Sequence, residues 1–418
     1  LSARRAAAEL LVAVMDRGRA LEDAMTETTS FNALEGRDRA FARALVTAGL
    51  RHLGGVDTVL SEFLQRPLPD NAEHARALLH LGATQLLVLG TPAHAAVGET
   101  VETANHMREA RGFAKLMNAV LRKVAGNGAA IFATLPPGAD LPAWLYTRWR
   151  ATYGEAAPRI AGALLHEAPL DISVKDDAAG WAEKLGGVVT PTGSVRLSDP
   201  APIDTLPGFD EGAWWVQDAA AALPAKLLGE VRGKRVLDLC AAPGGKTLQL
   251  AAAGAQVTAV DKSQARLKRL RENLTRTKLK AEIICADALE FRAEPFDAVL
   301  LDAPCTSTGT LRRHPDVAWL RRPTDVRALA ELQAQLVAAC AKLLKPGAPL
   351  LYAVCALEPE EGPGIVAEAL RTGWRRAALT NEIPAEFVTP DGDMRTHPGF
   401  WPELGGLDGF YAARLLRT

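Results

Sequence analysis

Residues 236–247 read VLDLCAAPGGKT, and how they are read decides the fold of the C-terminal half. Val236–Leu239 has the apolar run of a buried strand. Cys240, Ala241, Ala242, Pro243, Gly244 and Gly245 form a turn of small residues, and a helix-forming stretch runs from Lys246 to Ala253. A strand that passes into a helix N-terminus through small residues lets backbone N–H groups approach a ligand. The rhythm repeats downstream. Strand-like runs at Val257–Val260, Glu282–Cys285, Ala298–Leu301 and Leu350–Val354 alternate with helical stretches at Ala265–Leu274 and Thr324–Leu344. Such alternation implies an α/β domain over residues 226–418, with a parallel, doubly wound, Rossmann-like sheet.

The chemistry of the turn narrows the ligand. Gly245-Lys246-Thr247 imitates the end of a phosphate-binding loop, but that motif needs its first glycine where Cys240 stands, and the G-x-G-x-x-G dinucleotide pattern is incomplete. Acidic residues accompany four successive strands instead: Asp238, Asp261, Asp287 and Asp302. A carboxylate at Asp261, 23 residues after Asp238, can accept ribose hydroxyls. A pocket rich in carboxylates suits a cationic sulfonium nucleoside better than a pyrophosphate, so S-adenosyl-L-methionine is the expected cofactor. Its expected binding set is Asp238 and Cys240 through Lys246, with Asp261, Arg266, Asp287 and Asp302.

Leu300–Asp316, LLDAPCTSTGTLRRHPD, is the second informative stretch. An apolar strand delivers Asp302 to a sheet edge, and Pro304-Cys305 opens a loop of Gly, Ser and Thr. A second thiol, Cys355, closes the run Leu350–Val354 and is followed by Glu358, Glu360 and Glu361. Cys240, Cys285 and Cys340 read as small buried hydrophobes. With five cysteines and no C-x-x-C or Cys/His spacing, neither a disulfide framework nor a metal site is expected.

The chain has 418 residues, too many for one ordinary core; 48% are hydrophobic, 23% are charged, and the net charge is −1. A histone-like polycation is excluded, and any nucleic-acid surface must be local. No apolar stretch is long and uninterrupted enough to span a bilayer, so the protein is read as soluble; the cysteine pattern fits a reducing cytoplasm, and a monomer is expected. Residues 1–135 read as helices, the clearest face being Phe113, Leu116, Met117, Val120, Leu121 and Val124. Residues 136–225 read as a small α+β segment with strand-like pieces at Asp171–Lys175, Gly187–Thr190 and Ala213–Gln217.

Asp238–Lys246, Asp302-Ala303-Pro304-Cys305, Arg312-Arg313-His314-Pro315-Asp316 and Cys355–Glu361 together resemble the RNA cytosine-5 methyltransferase family. The helical region resembles the NusB family of RNA-binding antitermination factors at Arg37–Phe41, Leu81–Leu86 and Asn118–Arg122. The other reading of that region is a packing or oligomerisation domain. The resemblance implies methyl transfer from S-adenosylmethionine to carbon 5 of a cytosine in small-subunit ribosomal RNA. Another RNA such as tRNA, or an inert RNA-binding assembly factor, is the alternative. In the family a thiolate adds to carbon 6 and makes carbon 5 nucleophilic. The resemblance assigns that attack to Cys355 and resolution of the adduct to Cys305; Asp302, at its strand end, is the acid expected at the N3 and amino edge of the base. Val354 stands where the family usually has threonine, which puts in doubt any hydroxyl contact to Cys355. Lys262–Lys280 is a basic stripe opposite Leu267, Leu270 and Leu274, and Arg312, Arg313 and His314 are the expected RNA-backbone contacts.

Overall fold

The computed structural model describes residues 2–417. They form two compact units. One takes the chain up to His166 together with Leu311–Arg322; the other is Glu167–Thr310 with the chain from Pro323 onward.

The first unit is helical. Ala3–Met15 is its central helix, rich in alanine on its buried side, and it packs against Gly36–Arg51 and Glu73–Leu87. Small residues let these helices approach closely: a Cβ on Gly49 would stand 2.8 Å from Leu81, and one on Gly82 would stand 2.7 Å from Leu121. Met117, Val120, Leu121 and Val124 are buried as the periodicity predicts, but Leu116 is exposed, because the apolar stripe is narrower than the sequence suggests. Helices Ala143–Tyr153 and Ala157–Ala163 belong to this unit, which therefore runs past the boundary expected at residue 135. So does Leu311–Arg322. Arg51 Nη1 donates to the carbonyls of Leu164 (3.1 Å), His166 (3.1 Å) and Arg312 (2.9 Å), Trp319 Nε1 donates to Leu50 O at 2.9 Å, and Asp316 accepts Leu21 N–H at 3.0 Å.

The second unit holds two sheets. The small one contains β1 (Leu170–Val174), β2 (Val188–Val189), β3 (Val195–Leu197) and β4 (Trp214–Val216) in the order β2-β3-β1-β4, with antiparallel pairing. Strand β3 is absent from the sequence expectation. Cross-strand partners Asp171 and Arg196 form a buried bidentate pair, both contacts 2.7 Å, and Arg196 also donates to Leu404 O and Gly406 O. This ion pair ties the small sheet to the C-terminal loop, which explains why the middle segment does not stand apart.

The large sheet contains β5 (Arg235–Leu239), β6 (Gln256–Asp261), β7 (Glu282–Cys285), β8 (Ala298–Asp302), β9 (Pro349–Val354), β10 (Trp374–Ala377) and β12 (Tyr411–Arg417), with β11 (Met394–Arg395) paired to β12. The order is β10-β12-β9-β8-β5-β6-β7. Strands β5 to β9 are parallel, as expected, but β12 runs antiparallel between β9 and β10, so the sheet is mixed. Direction of winding reverses between β5 and β8. Such a switch point opens a crevice at the carboxyl ends of the strands, where Asp238 and Asp302 lie. Among the described residues no helix is long and apolar enough to cross a membrane.

Candidate active site

The turn after β5 is held mostly by its own protein. Gly244 has φ +110°, and a Cβ there would stand 2.2 Å from Leu270, so only glycine fits. Ala241 N–H donates to Val260 O at 3.1 Å and Ala242 N–H to Asp261 Oδ2 at 3.1 Å. Two of the amides expected to face a ligand therefore face the end of β6 instead, because that strand runs alongside the turn. Asp261 also accepts Ser263 N–H at 2.9 Å. Arg266 pairs with Asp261 at 3.5 Å and donates to Ala242 O, which makes it a brace for the turn. Asp287 lies beyond β7, exposed, and accepts Leu289 N–H at 2.9 Å within its own turn; it does not join the buried carboxylates.

Asp238 is the group left over. It is wholly buried, and Thr247 donates to its Oδ2 at 2.6 Å, but Oδ1 meets no protein donor. Burial pushes its carboxyl up to about 7, against the pull of the Thr247 hydrogen bond. A buried carboxylate oxygen without a donor is costly unless a ligand supplies one. S-Adenosylmethionine carries an ammonium and a sulfonium, so the donor set fits it: Asp238 for a cationic group, Asp261 for hydroxyls, the glycine turn for close approach. Cys240 takes no part in the thiol chemistry, since burial raises its thiol to about 12.

Two thiols meet at the neighbouring strand ends. Strands β8 and β9 are parallel with Asp302 opposite Ala353, and two main-chain bonds fasten the following loops, Ala303 N–H to Ala353 O and Gly309 N–H to Cys355 O, both 2.9 Å. This brings Cys305 Sγ to 3.4 Å from Cys355 Sγ. Cys305 is buried and Cys355 is partly exposed. The buried thiol keeps its proton and donates it, so Cys305 is raised and Cys355 lowered from the usual thiol value. Val354 points into the core among Val299, Leu301 and Tyr352. Strand alternation turns that side chain away from the site, and Cys355 draws its hydrogen bond from Cys305.

Lys246 Nζ pairs with Asp302 Oδ2 at 2.7 Å and lies 5.1 Å over the Phe410 ring. The lysine assigned to the cofactor turn is thus the counter-ion of the acid beside the thiols, lowering the Cys355 thiol while Asp302 raises it. Sequence reasoning also missed Thr306 and Thr308, whose hydroxyls bond the Glu358 carboxylate, and Gln333, which donates to Glu361; spacing links none of these before the fold is known. Gln217, which follows the Trp214-Trp215 pair, packs against Gly245 and bonds Gln249 at 2.7 Å, whereas Trp214 and Trp215 are core. Arg312 is buried in the helical unit and cannot offer its guanidinium to a phosphate as expected; Arg313 is exposed. In the basic stripe, Arg276 donates to Phe209 O and Trp214 O and is structural.

Fold and site together define an S-adenosylmethionine-dependent methyltransferase. Residues 225–416 match the family profile described as 16S rRNA methyltransferase RsmB/F, and residues 1–126 match the NusB family. The chain is 35% identical over 439 residues to the ribosomal RNA small subunit methyltransferase B of Vibrio vulnificus (strain YJ016), covering 100% of both chains. It is 37% identical over 437 residues to the protein of that name from Xanthomonas campestris pv. campestris, covering 100% of this chain and 98% of the relative. The chain therefore belongs to the RsmB/F family, and it is an RNA (cytosine-5-)-methyltransferase. The crystal structure of PH0851 shares its fold with a TM-score of 0.78 at 23% identity, covering 99% of each chain. NSun6 from Pyrococcus horikoshii with SFG does so with 0.59 at 20% identity, covering 66% of this chain and 98% of that one.

Proposed function

We propose that this enzyme methylates carbon 5 of a cytosine in small-subunit (16S) ribosomal RNA through a covalent bond between Cys355 and carbon 6, acting as a cytoplasmic monomer. The observation that carries the reading is the thiol pair, 3.4 Å apart, with the more exposed member lowered from the usual thiol value by its hydrogen bond from Cys305. The Cys355 thiolate adds to carbon 6, and the ring electrons move to carbon 5. S-Adenosylmethionine, held by Asp238, Asp261 and the glycine turn, supplies an electrophilic methyl group when bound. Once carbon 5 is methylated, for which the bound cofactor would depart as its neutral thioether, the carbon 5 proton leaves to a base, and the electron pair it releases expels the Cys355 thiolate. Asp302, paired with Lys246, meets the base edge in this reading, and Cys305 assists the expulsion. The target base must leave its stack, since carbon 6 is shielded within a helix. The helical unit and small sheet supply RNA grip.

Transfer of labelled methyl groups to 16S RNA tests the reading. Cys355→Ala should abolish incorporation, and Cys305→Ala should accumulate an RNA–protein adduct that survives denaturation. Retained turnover in the Cys355 variant would overturn the nucleophile assignment.

A further inference from the structure

The loop carrying Cys305 is anchored by a carboxyl group on the segment after Cys355. Glu361 Oε1 accepts the N–H of Thr306 at 2.9 Å and Nε2 of Gln333 at 3.0 Å, and the same Gln333 nitrogen donates to Pro304 O at 2.9 Å. The backbone on both sides of Cys305 is therefore tied to one carboxyl. Glu361 is itself fixed, because the Tyr352 hydroxyl donates to its main-chain oxygen at 2.5 Å.

A proton inventory then identifies the state of that carboxyl. Thr306 Oγ1 lies 2.5 Å from Glu361 Oε2 and 3.1 Å from Glu358 Oε2. A hydroxyl carries one proton, so it can donate to one of these oxygens, and the other contact needs a proton brought by the carboxyl. Glu358 Oε2 is also approached by the Thr308 hydroxyl, which accepts Leu357 N–H at 3.0 Å and has its own proton to give. Glu358 is thus the acceptor, and Glu361 Oε2 is the oxygen left to carry a proton.

We propose that Glu361 works as a neutral carboxylic acid, a positioning residue that donates its proton to Thr306 and so holds Cys305 against Cys355. The proposal rests on the two-thiol reading above. The groups facing Glu361 are Cys305 and Thr306 of the loop after β8, Gln333 of helix Pro323–Cys340, Tyr352 of β9 and Glu358 of its own turn. Beyond Tyr352 stand Tyr411 of β12 and Arg395 of β11, the latter donating to Ala356 O at 2.6 Å. Burial first, and Glu358 after it, push the Glu361 carboxyl up to about 7. Once ionised, Glu361 loses its donated bond, repels Glu358 across Thr306 and holds the Cys305 thiol more firmly protonated. The clamp slackens as pH rises through that value.

Infrared spectra and pH–rate profiles of the full-length enzyme, its Glu361→Gln variant and its Glu361→Ala variant test this. A glutamine amide can donate to Thr306 and accept from its N–H at any pH. The expected results are a protonated-carboxyl band at pH 6 that loses one component in E361Q, an alkaline limb near pH 7 that is missing in E361Q, and kcat about tenfold lower in E361A than in wild type below pH 7, the gap closing above it. A wild-type spectrum whose carboxyl band is unchanged in E361Q, or an E361Q profile identical to wild type, would overturn the proposal. If E361A fails to fold, the band and the E361Q profile still decide. Retained turnover in Cys355→Ala alongside the band difference would sink the thiol assignment and leave the acid standing; a dead Cys355→Ala without the band difference would do the reverse.

Discussion

Asp238 and Glu361 are both buried carboxyls held near neutrality, one beneath the cofactor turn and one beneath the thiol loop. Their surroundings differ in one respect. Each Glu361 oxygen has a protein partner, whereas Asp238 has Thr247 on one oxygen and nothing on the other. A carboxyl whose valences are met holds its neighbours in place; one left short by the protein is set to take a ligand. The same environment therefore supports a clamp in one region and a binding group in the other.

The contrast can be broken most sharply at Asp238. Asp238→Asn should weaken S-adenosylmethionine binding about 50-fold, the worth of a charge-assisted bond, while Glu361→Gln leaves it unmoved; titration calorimetry on both variants makes the comparison. The sign of the pH dependence follows. The deprotonated carboxylate binds the cation, so wild-type affinity should rise as pH rises through about 7 and level off, and D238N should be flat.

A smaller effect is expected at Lys246, which links the two regions. Lys246→Met removes the cation that lowers the Cys355 thiol and exposes it to Asp302. The acid limb of the rate profile should move up by about one pH unit, with turnover at neutral pH about tenfold lower. Alkylation of Cys355 as a function of pH reads the same shift, and an unmoved limb would separate the ion pair from the thiol.

The smallest effect is on stability. Glu361 is raised from 4.5 to about 7 in the folded chain, so the native state binds more protons between those values. Its contribution to stability is full at acid pH and is lost as pH rises, by roughly 1.4 kcal/mol per unit across that window. Melting temperatures of E361Q and wild type should therefore diverge in favour of E361Q from pH 5 to pH 8. Parallel curves would place the proton elsewhere.

How much of this is legible in the sequence depends on how local the signal is. Strands β5 to β9 and the acids near their ends follow from short apolar runs and small-residue turns, and the two thiols stand out because each ends such a run. Strand β12 escapes because Tyr411–Arg417 lacks a clean alternation and its partners lie far away in the chain. Arg312 reads as a phosphate contact by its place after the catalytic loop, yet it is buried in a helical core that Leu311, Trp319 and Leu320 give no hint of joining. Glu358 and Glu361 were visible as acids; their partners Thr306 and Thr308 lie about 50 residues upstream, and only the pairing of β8 with β9 brings them together.

The excursion of Leu311–Arg322 into the helical unit changes what a minimal enzyme can be. The chain crosses between its units after His166, after Thr310 and after Arg322, so no single cut yields two complete pieces. A fragment beginning at Glu167 would carry Trp319 and Leu320 without the helices that cover them, and the helical half alone would lack the partner of Leu21 N–H and the indole bonded to Leu50. The two halves can be exchanged between relatives only if this twelve-residue stitch is exchanged with the helices, not with the catalytic sheet whose sequence surrounds it.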